Sequence, residues 1–467
     1  MDMNTEQKAL AINLDAGRFG TFAEIGAGQE VVRWFFHAGH ASATVAKSIS
    51  AYDTAVSDEI YGKAGHYVSR ERLESMLEYE YNLLLRRLDS TRGEKTAFFA
   101  FADTVATRTR TDSPGGHGWL GVRFQTAPRS APSEIILHVQ LLDNVTVAKQ
   151  EALGTLGVNL IHAAFFLNDK PHDLVAALME GLRRTQIEVD MIRLSGPAFE
   201  GVDNRLMSLQ LVEQGLTDAT MFTASGEVVQ PSENLHGRAV LMERGAFRPV
   251  TNVTWEMLQG AQRQFLSSRK PGTAGPAAPP IVLMEMTLSN LVTGHRIDHG
   301  DFLARAAMLN ALGITVIVSN YDRFDLVTSY LRRYTKEPIV MVMGAPTLVG
   351  IFDAQYYAAL PGGILEGLGR LFQGDTKLYV YPMKAGPDAP VVDAVSLPLA
   401  PLSHRLYWYL LESGQIQSVR EFREEQLHVY PDDVLAKIQS GDKTWESMVP
   451  AQVAEIIRSR GLFGYKA

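Results

Sequence analysis

Arginine, asparagine, aspartate and glycine recur just after the strand-sized apolar runs of this chain. Ser195 follows residues 188–194 (EVDMIRL), and Asn204 opens the helical stretch beyond it. Arg244, Arg248 and Asn252 follow residues 239–243 (AVLME), and Asn290 follows 281–286 (IVLMEM). Asn320 and Asp322 follow 314–319 (ITVIVS), and Gly344 follows 339–343 (IVMVM). Forked guanidinium donors, amide donors and helix N-terminal N–H groups are the chemistry of an anion or phosphate cradle. In open α/β sheets, ligands sit outside the carboxyl ends of the strands, where these residues fall. The same residue types also cap helices and make strand-to-helix turns, so each of them has a purely structural reading beside the functional one.

Other motifs are weaker. His37-Ala38-Gly39-His40 matches the H-x-G-H string that holds phosphates in nucleotidylyl transferases, but there it follows a strand. Here the preceding QEVVRWFF has the pattern of a helix. Gly26-Ala27-Gly28 resembles the opening of a dinucleotide fingerprint, yet Val31 stands where a third small residue is needed, and the strand before it is no more than TFAEI. His295, Asp298, His299 and Asp301 are ligand types, but Asp298 and Asp301 stand where a helix begins and serve equally as caps, so no metal is assigned. There is no G-x-S-x-G elbow and no G-x-x-x-x-G-K-[ST] loop, which disfavours elbow-serine acyl hydrolysis and Walker-type NTP hydrolysis.

The elements that must position these residues follow from periodicity. Residues 1–93 form a helical segment, clearest over 71–88, where Leu73, Met76, Leu77, Leu84, Leu85 and Leu88 describe one face and Ser69 stands as N-cap. Residues 94–145 hold three β-rich runs (96–105, 118–125, 134–142) with turns at 113–116 and 128–132, too closely spaced for helical crossovers and so antiparallel. Residues 146–266 alternate helix and strand, 267–280 form a Pro/Gly-rich loop, 281–400 resume the alternation, and 401–467 form a charged helical tail. Strands apolar on both parities imply a sheet covered on both faces. The expected fold is α/β: a mostly parallel, Rossmann-like sheet with helices on both faces, plus an N-terminal helical segment, a small antiparallel sheet and the C-terminal tail.

The totals agree. Of 467 residues, 46% are hydrophobic and 21% charged, which is ordinary for globular domains, and the length suggests two to four of them. A net charge of −8 argues against a nucleic-acid partner. With no cysteine, thiolate metal sites, disulfides and cysteine nucleophiles are excluded. The polar start lacks a signal-peptide pattern, and no apolar run approaches a membrane span, so a cytoplasmic protein with no membrane partner is expected.

The strings FAEIGAGQEVVRWFF, DNRLMSLQLVEQGLTDATMFTASGEVVQPSE, YLRRYTKEPIVMVMGAPTL, GGILEGLGRLF and RGLFGYK resemble a bacterial protein family over nearly the whole chain. Its members often carry the names nicotinate-nucleotide adenylyltransferase or TonB-dependent receptor. A TonB-dependent receptor needs many amphipathic barrel strands, which this pattern lacks, and the adenylyltransferase name would lean on His37 and His40. The resemblance implies a soluble protein and carries over no catalytic residue. Two functions are therefore expected: binding of a nucleotide or other small phosphorylated ligand at the strand ends, or self-assembly into a homo-oligomeric scaffold. For the second, Trp34, Phe35 and Phe36 and the trio Tyr407, Trp408 and Tyr409 would supply packing surfaces. No cofactor is specified.

Overall fold

A computed structural model of the chain describes residues 3–107, 115–268, 278–386 and 388–466. Most of the 267–280 loop and the start of the 113–116 turn lie outside the described residues. The chain divides into two compact units, Met1–Asp218 and Ala219–Ala467. The 146–266 stretch spans that division.

In the first unit, β1 (Arg18–Ile25), β2 (Val45–Ile49), β3 (Ala97–Ala106), β4 (Gly116–Phe124), β5 (Ser133–Leu141) and β6 (Ile187–Ser195) form one mixed sheet, ordered β2-β1-β3-β4-β5-β6. β1 is parallel to both neighbours, and β3 to β6 are successively antiparallel. The expected antiparallel trio exists, but it shares its sheet with strands from the segment read as helical. β1 was hidden because Gly20, Thr21 and Glu24 break its apolar pattern, although the strand is buried almost throughout. β6, expected in a parallel sheet, is an antiparallel edge strand; an apolar run reports burial on both faces, not strand direction.

Helices α1 (Thr5–Asn13), α2 (Glu30–Ala38), α3 (Thr54–Tyr61), α4 (Arg70–Arg92), α5 (Thr146–Phe166), α6 (Pro171–Leu178) and α7 (Asn204–Glu213) cover this sheet. α1, α2, α5, α6 and α7 share one apolar core with the sheet residues Phe22, Phe99, Phe101, Leu120 and Val139. α4 packs on β1, β3 and β4, and Ser69 accepts from Arg72 N at its start, the cap expected of that serine. α5 is buried around most of its surface because it lies between the sheet and the outer helices. Gly157 permits the close approach of α2, since a Cβ there would stand 2.3 Å from Val31 Cγ2.

The second unit is built on β7 (Ala219–Phe222), β8 (Val228–Val229), β9 (Val240–Arg244), β10 (Ile281–Thr287), a short hairpin β11–β12 (Val292–Thr293 and Arg296–Ile297), β13 (Thr315–Ser319), β14 (Ile339–Gly344), β15 (Thr376–Tyr381) and β16 (Ile416–Ser418). The main sheet runs β16-β15-β14-β9-β10-β13-β7-β8. From β16 to β13 every pair is parallel; β7 then joins antiparallel. Counted in chain order, the six parallel strands lie 6-5-4-1-2-3, the strand order of the doubly wound dinucleotide-binding fold. The parallel Rossmann-like sheet expected from sequence therefore resides here, and the tail contributes β16 to it.

Its helices are α8 (Pro231–Leu235), α9 (Asn252–Ser268), α10 (Leu288–Leu291), α11 (His299–Ala311), α12 (Phe324–Arg332), α13 (Ala345–Ile351), α14 (Gly363–Leu371), α15 (Pro401–Glu412), α16 (Pro431–Ser440) and α17 (Ala451–Arg460). α12 to α15 form one core with Val240, Met242, Leu283, Met341 and Leu378. The alternate strand residues Leu241, Met284, Val316 and Val340 are also fully buried, and α9 and α11 pack against the sheet. Among the described residues, no helix is long and apolar enough to cross a membrane.

Candidate functional site

Crossovers leave β9 in opposite senses: β10 and β13 lie to one side, β14 and β15 to the other. At such a reversal the two neighbouring strand-to-helix loops diverge and leave a crevice at the carboxyl ends. The loop after β9 and the start of α13 after Gly344 flank it. Seven of the nine residues expected from sequence (Arg244, Arg248, Asn252, Asn290, Asn320, Asp322 and Gly344) lie along this carboxyl edge. Ser195 and Asn204 belong to the first unit. Asn204 clips α7 to β6, with its Oδ1 accepting from Leu194 N at 2.8 Å and its Nδ2 donating to Leu194 O at 3.0 Å.

The two arginines differ. Arg244 closes β9 and forms a fork on Glu285 of β10, with Nε donating to Oε2 at 2.7 Å and Nη2 to Oε1 at 3.0 Å. Ser319 Oγ donates to the same carboxylate at 2.6 Å. The guanidinium lies 4.2 Å from the centre of the Phe324 ring and donates to Asp322 O at 3.2 Å. Tyr356 also donates to that carbonyl, at 3.0 Å. The arginine and glutamate side chains are 10% and 0% exposed, so this pair is a buried brace across β9, β10 and β13.

Arg248 is the outer cation. Its Nε donates to Asp301 Oδ1 at 2.7 Å, its side chain is 29% exposed, and its terminal nitrogens have no partner among the described residues. Asp301 is held from its other oxygen by Arg305 Nε at 2.7 Å, and Arg305 donates onward to Ala246 O and Asn290 O. Burial lowers the Arg305 pKa, which Asp301 partly offsets. Both oxygens of Asp301 thus serve arginines, and Asp298 caps α11 through Asp301 N. Asn290 is tied into a capping box with Thr287, Asn252 Nδ2 donates to Ser447 O at 2.9 Å, and Asn320 is exposed. Gly344 caps α13 without any side chain.

Sequence reasoning missed two acids. Glu285 and Glu243 interrupt strands that are otherwise apolar on both parities, and that interruption is the signal that could have revealed them. Glu243 is 1% exposed, its Oε2 has no partner among the described residues, and burial alone pushes its pKa well above the usual carboxylate range. It is a neutral acid beneath the strand-order reversal, between Met284 of β10 and Val342 of β14.

The first unit has a second polar centre. β1, the Gly26–Gly28 turn and α2 do form a strand–glycine–helix unit, with a longer strand than TFAEI. The N-terminal amides of α2 are already taken: Glu24 accepts from Val31 N and Val32 N, each at 2.9 Å. Asp103, opposite Glu24 in register, accepts from Ile25 N, and its Oδ2 has no partner among the described residues. Burial and then the Glu24 charge push Asp103 well up; burial also raises Glu24, to about 7, against the two amide donors that lower it, so Asp103 is the member of the pair that keeps its proton longer. Glu24 thus fills the place of an external anion. His37 lies in the last turn of α2 and His40 beyond its end, both exposed, in a helical setting. Across β4 to β6, Asp190 Oδ1 meets His138 Nδ1 at 2.5 Å, and His138 Nε2 meets His117 Nδ1 at 3.2 Å. Of the aromatics expected to form packing surfaces, Phe35 and Tyr407 are core, whereas Phe36 and Tyr409 are exposed.

No family model and no curated protein matches the chain. Among solved structures, the competence/damage-inducible protein CihA from Agrobacterium tumefaciens matches 35% of this chain and 98% of its own at 17% identity, with a TM-score of 0.26. A CinA-superfamily protein from Klebsiella pneumoniae matches 34% and 96% at 14% identity and the same 0.26. A competence or damage-inducible protein from Enterobacter asburiae matches 35% and 99% at 12% identity, again at 0.26.

Proposed function

We propose that the second unit binds a nucleotide or another phosphorylated metabolite at the carboxyl edge of its parallel sheet. One observation supports this reading: the strand-order reversal at β9 coincides with the loop that carries Arg248, whose terminal guanidinium nitrogens have no partner among the described residues. Asp301 and Arg305 fix the direction of Arg248, so little side-chain entropy is lost when an anion docks. Gly344 adds room, because an N-cap without a side chain lets a ligand approach the backbone. Arg244 serves as a brace: three of its five N–H donors go to Glu285 and Asp322, and its side chain is only 10% exposed. In this reading Glu243 keeps a neutral, low-dielectric floor under the crevice, which strengthens the attraction between Arg248 and a phosphate.

The test is a thermal-shift screen of the full chain against nucleoside mono-, di- and triphosphates and sugar phosphates. A ligand at 100 times its Kd adds about 2.7 kcal/mol to the folded state, a readily detected shift. The expected result is stabilisation by at least one phosphorylated compound, lost in Arg248→Ala with the unliganded melting temperature little changed. Stabilisation that survives Arg248→Ala, or none from any compound, overturns the proposal.

A further inference from the structure

A groove of about 480 Å³ lies along α9 from Asn252 to Arg263, facing residues 421–423 beyond β16. Its volume is within the range of about 300–1,000 Å³ typical of small-molecule sites. It adjoins the edge just described. Asn252, on its wall, begins the helix that the Arg248 loop leads into. Gly344 is in register with Tyr381 on β15, and the Phe422 ring meets Tyr381 edge-on, 6.4 Å between centres.

The walls are braced and electrically balanced. Arg263 Nε donates to Glu421 Oε2 at 2.6 Å, and Arg423 Nε stands 3.3 Å from Glu256 Oε1. Two cations and two anions are paired, so the groove offers no excess positive charge to a phosphate. It offers instead two aromatic rings, Trp255 and Phe422, and hydrogen-bonding groups without partners among the described residues: the Trp255 indole N–H and the Gln259 amide. Asn252 donates its Nδ2 to Ser447 O and keeps its Oδ1 for other donors. Within this wall Glu256 Oε2 is buried without a partner among the described residues, and the buried Tyr381 hydroxyl stands by the Arg423 backbone. Rings plus an amide donor–acceptor edge, in a neutral setting, fit a flat heterocycle.

We infer that the α9 groove takes the nucleobase of a ligand whose phosphate docks at Arg248, which makes that ligand a nucleotide and not a sugar phosphate. This rests on the function proposed above. Trp255 and Phe422 give stacking faces and Gln259 reads the base edge.

Calorimetric titration of the full chain with AMP, GMP, UMP, CMP and ribose 5-phosphate tests it. At least one nucleotide is expected to bind ten-fold or more tighter than ribose 5-phosphate. Gln259→Leu and Trp255→Ala should each weaken that nucleotide about ten-fold and leave ribose 5-phosphate unchanged, whereas Arg248→Ala weakens both. Trp255→Phe keeps a stacking face and should retain most of the affinity, which separates lost stacking from a damaged helix. If nucleotides and ribose 5-phosphate bind alike, or Gln259→Leu and Trp255→Ala leave the nucleotide affinity intact, the groove is not the base site, while the Arg248 edge stands. If none of the five binds, the groove and the edge both fail as the site of a nucleotide.

Discussion

Replacing Arg244 by alanine removes the brace that joins β9, β10 and β13. The substitution strips two fork hydrogen bonds from Glu285 and leaves a fully buried carboxylate with Ser319 as its remaining side-chain donor. Breaking one partner of a buried ion pair costs about 3–5 kcal/mol, mostly from the stranded charge. Loss of the Phe324 ring contact adds to this. For a unit of this size, 1 kcal/mol moves the melting temperature by about 2–4 °C, so a drop of roughly 6–20 °C is expected. Differential scanning calorimetry of Arg244→Ala measures it. The double variant Arg244→Met, Glu285→Leu, which removes both charges and keeps their volume, should recover most of the loss. A single Arg244→Ala variant melting within about 2 °C of the parent would refute the buried brace and return Arg244 to the set of free ligand-binding cations.

Other outcomes follow from the same geometry. Asp103 is held neutral in the fold, above its ordinary value of 3.8, so its stabilisation is present at low pH and is lost as pH rises through the raised native value. Asp103→Asn, which keeps an acceptor for Ile25 N, should therefore flatten the fall of melting temperature with rising pH; an unchanged pH profile would contradict the proton assignment. His117 and His162 are both lowered to about 4, mainly by burial, so acid destabilisation between their ordinary value of 6.5 and about 4 should shrink in His162→Gln, measured by melting at pH 5 against pH 7. Gly26→Ala places a Cβ 1.8 Å from Val105 O at a φ of +103°, and should cost about 3 kcal/mol or more in urea unfolding. Asn204→Ala removes both clips to Leu194 and should cost about 1–2 kcal/mol in the same assay, with no effect on ligand affinity.

Much of the second unit was legible because its rules are local. Strands expected at 281–286, 314–319, 339–343 and 377–381 lie within a residue or so of β10, β13, β14 and β15, since uninterrupted apolar runs of that length fit a buried parallel strand. Strand order is set by contacts far apart in sequence, and the reversal at β9 that gives the site its meaning could not be read from periodicity. The first unit hid more. β1 and the edge strand β2 carry Gly20, Thr21, Glu24 and Lys47, whose types argue against a buried strand; a Cβ on Gly20 would stand 2.4 Å from the Phe99 ring, Thr21 Oγ1 donates to Lys47 O, Glu24 accepts from α2 and Lys47 pairs with Glu80. For the site, residue type located the edge but not the roles. Arg244 and Arg248 look alike in sequence, and what separates them is Glu285 on a neighbouring strand 41 residues away.

Native mass spectrometry of the full chain, purified gently from its own cells, bears most directly on the claim that the second unit holds a phosphorylated small ligand. The expected result is a subunit carrying extra mass at one equivalent, released on denaturation, identified as a phosphorylated compound by fragmentation, and absent from Arg248→Ala. A parent protein with no extra mass that also gains none when mixed with the compounds of the thermal-shift screen would contradict it.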